Sequence, residues 1–300
     1  MKANLISVAI VVTALFANST LQAKTEKSTS ASKALIERSA IIIPKNVKKY
    51  QLVNFDFDMK NKSSGVSIRY VSSEYPDIAV DFFVYPIGKG PNDEILKFGM
   101  QEFTEGLRQA GDMGVFEKLV LQPEQKLLLD GEKICVVPVT EKSAAASSSA
   151  AKQEDKDIVL ESLKKSRQLH GRKVSIAHFQ KNVPMQSLGY IFYRQLYLTK
   201  VRVTASADAM SSEEFNTMAD QAASQIVGAI EARNIGSCSN PQISISVDDS
   251  KDSNALMQQI MDGVSGNVAN NCVSDLALGK IAKSEFEVVM IEYTPEDWGN

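Results

Sequence analysis

The chain is poor in the residues that usually advertise chemistry. It has two histidines, His170 and His178, three cysteines and one tryptophan in 300 residues. It has no Cys-x-x-Cys pair and no histidine near a cysteine, so the ligand spacing of a zinc site is missing. It has no Gly-x-Ser-x-Gly elbow for a serine nucleophile. Gly88-Lys89-Gly90 precedes a helix start but lacks the Gly-Lys-Ser/Thr ending of a phosphate loop. There is no basic excess either. Thirty-three Lys and Arg against 36 Asp and Glu leave a net charge of -3, which supplies no field to gather nucleic acid or anionic lipid. Beyond the N-terminus, no apolar run approaches the roughly 20 residues a membrane helix needs. No metal and no cofactor is therefore expected.

What is present is an ordinary globular balance, 44% hydrophobic and 23% charged, behind a distinctive start. Lys2 is followed by an apolar run from Leu5 to Phe16, broken only by Ser7 and Thr13, and then by Leu21-Gln22-Ala23. This layout predicts a secretory signal peptide over residues 1–23, with the periplasm or the cell exterior as destination. No membrane span is expected once it is removed. Residues 24–40 are polar and read as a flexible lead-in. Export permits disulfides. Cys135 lies in a strand-like run, whereas Cys238 and Cys272 flank elements near the C-terminus, so these two are expected to pair. Such a bridge is worth roughly 3–4 kcal/mol on the chain-entropy model.

Residues 41–233 read as the main domain. Leu52 to Met59 alternates, with Val53, Phe55, Phe57 and Met59 expected inward and Asn54, Asp56 and Asp58 outward. Gly65 to Val71 and Ile78 to Tyr85 follow after short turns. Three short strands with short links predict an antiparallel meander. Asn92 then opens a helix whose stripe is Ile95, Phe98, Phe103, Leu107 and Ala110. Gly99 and Gly106 on that stripe imply close approach to the sheet. Strand-like material surrounds an Asp130-Gly131 turn. The Ser/Ala-rich segment 141–157 is a linker or loop, and residues 158–168 stay open between helix and strand. Lys173 to Gln180 reads as a strand and Asn182 to Ser187 as a turn.

Tyr190 to Ala205 reads as one long strand with a bend at Arg194-Gln195. Its odd positions are apolar almost throughout. Its even positions begin apolar and end with Lys200, Arg202 and Thr204. Ser211, with Glu214 three residues on, forms a capping box. The helix it starts carries Phe215, Met218, Ala219, Ala222, Ile226, Val227 and Ile230 on one stripe.

Residues 52–110 and 173–231 thus share an order of strands followed by a helix and could be two copies of one unit. This element order resembles the α/β sandwich of photosystem-associated PsbP-like and Mog1-like proteins. The fold class expected is α+β, mainly antiparallel sheet packed with amphipathic helices. Residues 234–300 read as a small C-terminal β-α-β unit, with strands at Ile243–Val247 and Glu285–Tyr293 and Trp298 anchoring the end.

The candidate site is a surface rather than a catalytic centre. Phe192, Leu196 and Leu198 require a cover on the second face of the long strand, from this chain or from a partner. Arg194, Lys200 and Arg202 beside them form a candidate basic patch. The favoured reading is an exported, non-enzymatic binding module, with another envelope protein as partner and no role for nucleic acid. The rivals are a periplasmic hydrolase working through Asp or His and a small-ligand carrier.

Overall fold

A computed structural model of the chain describes residues 36–130, 133–137, 168–236, 238, 270–273, 281–294 and 297. The strands are β1 (Arg38–Pro44), β2 (Asn46–Val47), β3 (Tyr50–Phe57), β4 (Val66–Ser72), β5 (Ala79–Pro86), β6 (Glu117–Leu121), β7 (Gln125–Asp130), β8 (Lys133–Val137), β9 (Gln168–Gln180), β10 (Val183–Arg194), β11 (Tyr197–Ser206), β12 (Glu231–Ile235) and β13 (Phe286–Glu292). The helices are α1 (Asn92–Asp112) and α2 (Ser212–Ala229).

Ten strands form the central sheet in the order β2-β3-β4-β5-β11-β10-β9-β7-β8, with β6 beside the far half of β9. Every pairing in it is antiparallel. The fold is α+β, and the meander β3-β4-β5 lies as the turns require. Val66, Ile68 and Tyr70 point inward and are buried.

Register assigns each residue to one of two faces. On the first, Tyr190, Val201, Phe82 and Ile68 stand side by side across β10, β11, β5 and β4. This face is covered by Phe215, Met218, Ala222 and Ile226 of α2 and by Ile41, Ile43 and Ile291 of the small sheet β12-β1-β13. On the second face, Ile191, Leu198, Val174 and Ile176 pack under Leu96, Met100, Phe103 and Leu107 of α1. Gly99 and Gly189 make this contact possible. A Cβ on Gly99 would lie 2.7 Å from a Leu198 methyl carbon, and one on Gly189 would lie 2.0 Å from the Phe103 ring.

The two strand-strand-strand-helix units meet at the β5–β11 pair, yet their helices lie on opposite faces. A two-fold rotation that exchanged antiparallel β5 and β11 would keep both helices on one face. No rotation therefore carries one unit onto the other, and the similarity is one of element order.

Several local expectations are corrected. The long strand over Tyr190–Ala205 is a hairpin, β10 turning into β11 at Gln195 and Leu196. Both turn residues have positive φ, 56° and 67°, as a two-residue type I′ turn requires. Neither is a turn former. Tertiary bonds hold the turn instead: the Gln195 side-chain oxygen accepts from Ala232 N at 2.7 Å. The Leu196 carbonyl accepts from Ile87 N and Gly88 N, each at 3.1 Å. The turn expected over Asn182–Ser187 shrinks to Lys181 and Asn182, also with positive φ, and Pro184 pairs with Phe179 in the ladder.

In β3 the register shifts between Leu52 and Asn54. Val53 falls at the bulge and is 56% exposed. Phe55 and Met59 are exposed as well. Pro91, not Asn92, is the N-cap of α1. The capping box of α2 forms as expected, with Ser211 and Glu214 bonded reciprocally.

Order begins within the lead-in assigned to 24–40, since Ile36 is fully buried and Arg38 opens β1. The strand expected at Glu285–Tyr293 exists as β13 but pairs with β1 of the main domain. Cys238 and Cys272 form a disulfide with their Cα atoms 5.8 Å apart. The signal peptide, the Ser/Ala-rich 141–157, the strand at 243–247, the helix after it and Trp298 lie outside the described residues. No helix among the described residues is long and apolar enough to cross a membrane.

Candidate functional site

The turn at Gln195 and Leu196 redistributes the six residues of the expected surface. Phe192 lies on the first face, stacked with Tyr190 at 6.4 Å between ring centres, and its ring passes close to Gly171. Leu198 lies on the second face under Gly99. Leu196 is buried in the turn itself. All three are 0% exposed, so this chain covers them and they offer no docking surface.

Arg194 also parts from the two other cations. It stays on the first face and donates to the carbonyls of Val227 at 3.1 Å, Gly228 at 3.2 Å and Ile230 at 3.4 Å. These are the orphan acceptors at the C-terminus of α2, where a cation also opposes the negative end of the helix dipole. Its role is that of a cap.

Lys200 and Arg202 stay together on the second face. Register places them in two rows across the sheet. One row reads Asn54, Arg69, Asp81, Arg202, Gly189, and the other Asp56, Ser67, Phe83, Lys200, Ile191. α1 crosses the Gly189 and Ile191 end and reaches Lys200 through the Phe103 ring. Arg69 meets Asp81 through two bonds, 2.6 Å and 3.1 Å, a bidentate fork. These side chains are 35% and 27% exposed.

Deeper in, the Lys200 ammonium lies 4.2 Å from the Phe83 ring centre and 5.6 Å from that of Phe103. The Arg202 guanidinium lies 4.8 Å from the Phe116 ring centre. Burial, followed by the neighbouring Arg202 charge, brings the Lys200 pKa down to about 7, against the opposing pull of Asp81. Burial brings Arg202 down to about 10, again opposed by Asp81. Arg202 Nε is buried with no hydrogen-bond partner. Lys200 and Arg202 are thus interleaved with the Phe83, Phe103 and Phe116 rings, beside the Asp81 carboxylate that Arg69 holds.

His178 borders this cluster. It is 2% exposed, and its ring meets that of Phe116 edge-on at 4.7 Å. Neither ring nitrogen has a hydrogen-bond partner. Burial and then the Arg202 charge push its pKa down to about 4. The arrangement keeps the imidazole neutral and gives it no carboxylate to orient it, unlike a general base in a triad.

On the first face a different polar group escaped the sequence reading. Asp220 of α2 accepts from Tyr190 Oη at 2.6 Å and from Lys173 Nζ at 2.7 Å. It ties the helix to two buried strand residues. Asn234 is a second such knot. It accepts from Ser39 Oγ at 2.7 Å and donates to the carbonyls of Gln195 and Asn270, each at 2.9 Å. Neither could be foreseen without the register.

A shallow cleft of about 290 Å³ lies outside α2, lined by Lys49, Tyr75, Glu213, Thr217, Met218 and Gln221 among others. Lys49 there is paired with Glu74 at 2.6 Å. Among the described residues, no group of three or more His, Cys, Asp or Glu side chains is placed to hold a metal ion.

By its fold the chain is an α+β protein built on a mainly antiparallel sheet. No family model matches it, and no curated protein matches it. Among solved structures it is similar to the solution structure of cyanobacterial PsbP (CyanoP) from Synechocystis sp. PCC 6803. The match is 9% identical, covers 64% of this chain and 92% of that one, and has a TM-score of 0.32. A superposition this loose carries no argument about function.

Proposed function

We propose that the protein is an exported, non-enzymatic binding module that acts in the cell envelope through the half-covered second face of its sheet. The observation that carries this is the row Arg69–Asp81–Arg202. It is a charged row beside α1 whose Arg69–Asp81 end is partly exposed. The Arg69 and Asp81 side chains keep 35% and 27% of their surface exposed, which leaves this pair within reach of a partner's charged groups. His178 has no carboxylate partner, which disfavours the hydrolase reading. The first face is filled by α2 and the small sheet, which disfavours a carrier cavity there. Export rests on the residues at 1–23 and is in keeping with the Cys238–Cys272 bridge.

The test is amine-reactive crosslinking of the native protein in its own cells, followed by fractionation and mass spectrometry. The expected result is a mature chain lacking residues 1–23 in the envelope fraction, crosslinked reproducibly to one partner. Recovery of monomer alone, or of an intact precursor in the cytosol, contradicts the reading.

A further inference from the structure

The central sheet ends at β3, and that end is covered over only part of its length. β2 sets Asn46 and Val47 opposite Gln51 and Tyr50, and the last bond on that side runs from Leu52 N to the Lys45 carbonyl at 2.8 Å. Beyond it, among the described residues, no strand lies outside residues 53–57. The Leu52 bond fixes which backbone groups are left over. Leu52 turns its N–H away from β4, and successive pairs in an antiparallel ladder alternate between bonded and unbonded. The pairs run Leu52↔Tyr70, Asn54↔Arg69, Phe55↔Ile68, Asp56↔Ser67 and Phe57↔Val66. Asn54 and Asp56 therefore bond to β4, while the N–H and C=O groups of Phe55 and Phe57 point out of the sheet. The side chains are open as well. Val53, Asn54, Phe55 and Asp56 are exposed, Phe55 by 38%. Asp56 lies on the second face, opposite Ser67, and among the described residues no Lys or Arg pairs with it.

We infer that the free edge at residues 54–57 takes up an extended segment of a partner protein as a further antiparallel strand, with a Lys or Arg of that segment opposite Asp56 and apolar residues on either side of it opposite Phe55 and Phe57. An unpaired edge is a template for such an addition. The inference rests on the binding-module reading. The added strand extends the rows that run from Asn54 to Arg69 and from Asp56 to Ser67, so its outward side chains join the second face beside the Arg69–Asp81 pair.

Charge selects the occupant. A second copy of this chain could use all the open groups only by pairing Phe55 with Phe57 in both directions. That two-fold centres on Asp56 and sets two carboxylates directly opposite each other, which is destabilising. The Val53 bulge and the Asp56 charge thus protect the edge against self-pairing. A basic residue meets the same carboxylate favourably, so one side chain rejects a copy and accepts the partner. Alternation of side chains along a strand then sets the pattern apolar, basic, apolar.

The measurement is fluorescence anisotropy of a labelled peptide of alternating Val and Lys against the full chain. One comparison peptide carries Glu for Lys. Another is N-methylated at its Val residues, which removes the N–H groups that would meet Phe55 and Phe57 and keeps the charge. The expected result is saturable binding of the Lys peptide and little binding of the other two. Asp56→Asn should weaken the Lys peptide by about threefold to tenfold, the scale of one exposed charge contact. Asp56→Lys should reverse the preference in favour of the Glu peptide. Asp56 is exposed, so both variants should keep the unfolding midpoint of the unchanged chain. No saturation by about 1 mM peptide, equal binding of the N-methylated peptide, or an unreversed preference in D56K overturns the inference. Concentration-dependent dimerisation of the unchanged chain that the peptide blocks would assign the edge to a second copy and overturn it too. In-cell crosslinks to a partner at a surface away from β3 would overturn this edge while the binding-module reading stands. Absence of any partner in cells would remove that reading and leave the peptide titration to decide what the edge accepts.

Discussion

On the first face of the central sheet, α2 and the small sheet bury Tyr190, Phe82, Val201 and Ile68, and the polar groups that intrude are bonded within the chain. Asp220 holds Tyr190 and Lys173, and Asn234 holds Ser39 and the β10–β11 turn. On the second face, α1 seals Ile191, Leu198 and Val174 and packs on Tyr85 of β5, while the Arg69–Asp81 pair stays partly exposed. There Arg69 and Asp81 pair at the margin of the cover. Both faces are built from the same strands, so the difference lies in what crosses them. One face is closed by packing, and the other keeps a partly exposed cross-strand ion pair at its margin.

That contrast can be strained from either side. The largest effect is expected on the sealed face. Phe215 of α2 is 2% exposed, and Phe215→Ala should cost about 3–5 kcal/mol by leaving a cavity against the strands, read by urea unfolding.

On the second face, the α1 contact depends on absent volume. Gly189→Ala should cost about 1–3 kcal/mol, because its Cβ would fall 2.0 Å from the Phe103 ring. Phe103→Leu in the same chain should recover part of that, and an additive double variant would contradict the contact.

Next comes pH. His178 is held neutral with its pKa lowered to about 4. Below pH 6.5 the unfolded chain takes up a proton there that the folded chain refuses. Stability from this group is therefore full above pH 6.5 and declines as pH falls from 6.5 towards 4, by about 2 kcal/mol. His178→Leu should flatten that part of a melting-temperature profile, and an unchanged slope would contradict the burial argument. Arg194→Ala should cost about 1 kcal/mol through loss of the α2 cap, seen as a fall in the unfolding midpoint. Arg69→Gln, at the open margin, should change stability by under about 1 kcal/mol while altering binding, which separates the two faces most clearly.

Much of this architecture could be read from periodicity. The β3-β4-β5 meander, both helices, the capping box at Ser211 and the Cys238–Cys272 pair follow from local pattern. The β10–β11 turn does not, because Gln195 and Leu196 carry none of the side chains that favour positive φ. Their conformation is imposed by Ala232, Ile87 and Gly88, which are distant in sequence. Alternation carried straight through this turn places Arg194 with Lys200 and Arg202, and Phe192 with Leu198, whereas the turn puts Arg194 and Phe192 on the opposite face. The bulge at Val53 puts Leu52 in its place on the inward face, while Phe55 and Phe57 keep the side that alternation gives them. Lys200 and Arg202 were visible as a pair because they sit two apart on one strand. Arg69 and Asp81 were not, since the row that joins them to Arg202 exists only once three strands are in register.

The most direct measurement of the difference between the faces is site-specific photocrosslinking in living cells. A photoreactive side chain would replace either Ser67, beside the ladder on β4, or Thr217, on the exposed side of α2. The account predicts one discrete adduct from the Ser67 position, lost when Arg69 is changed to Gln, and none from the Thr217 position. Equal adducts from both positions, or an adduct from Thr217 alone, would contradict it.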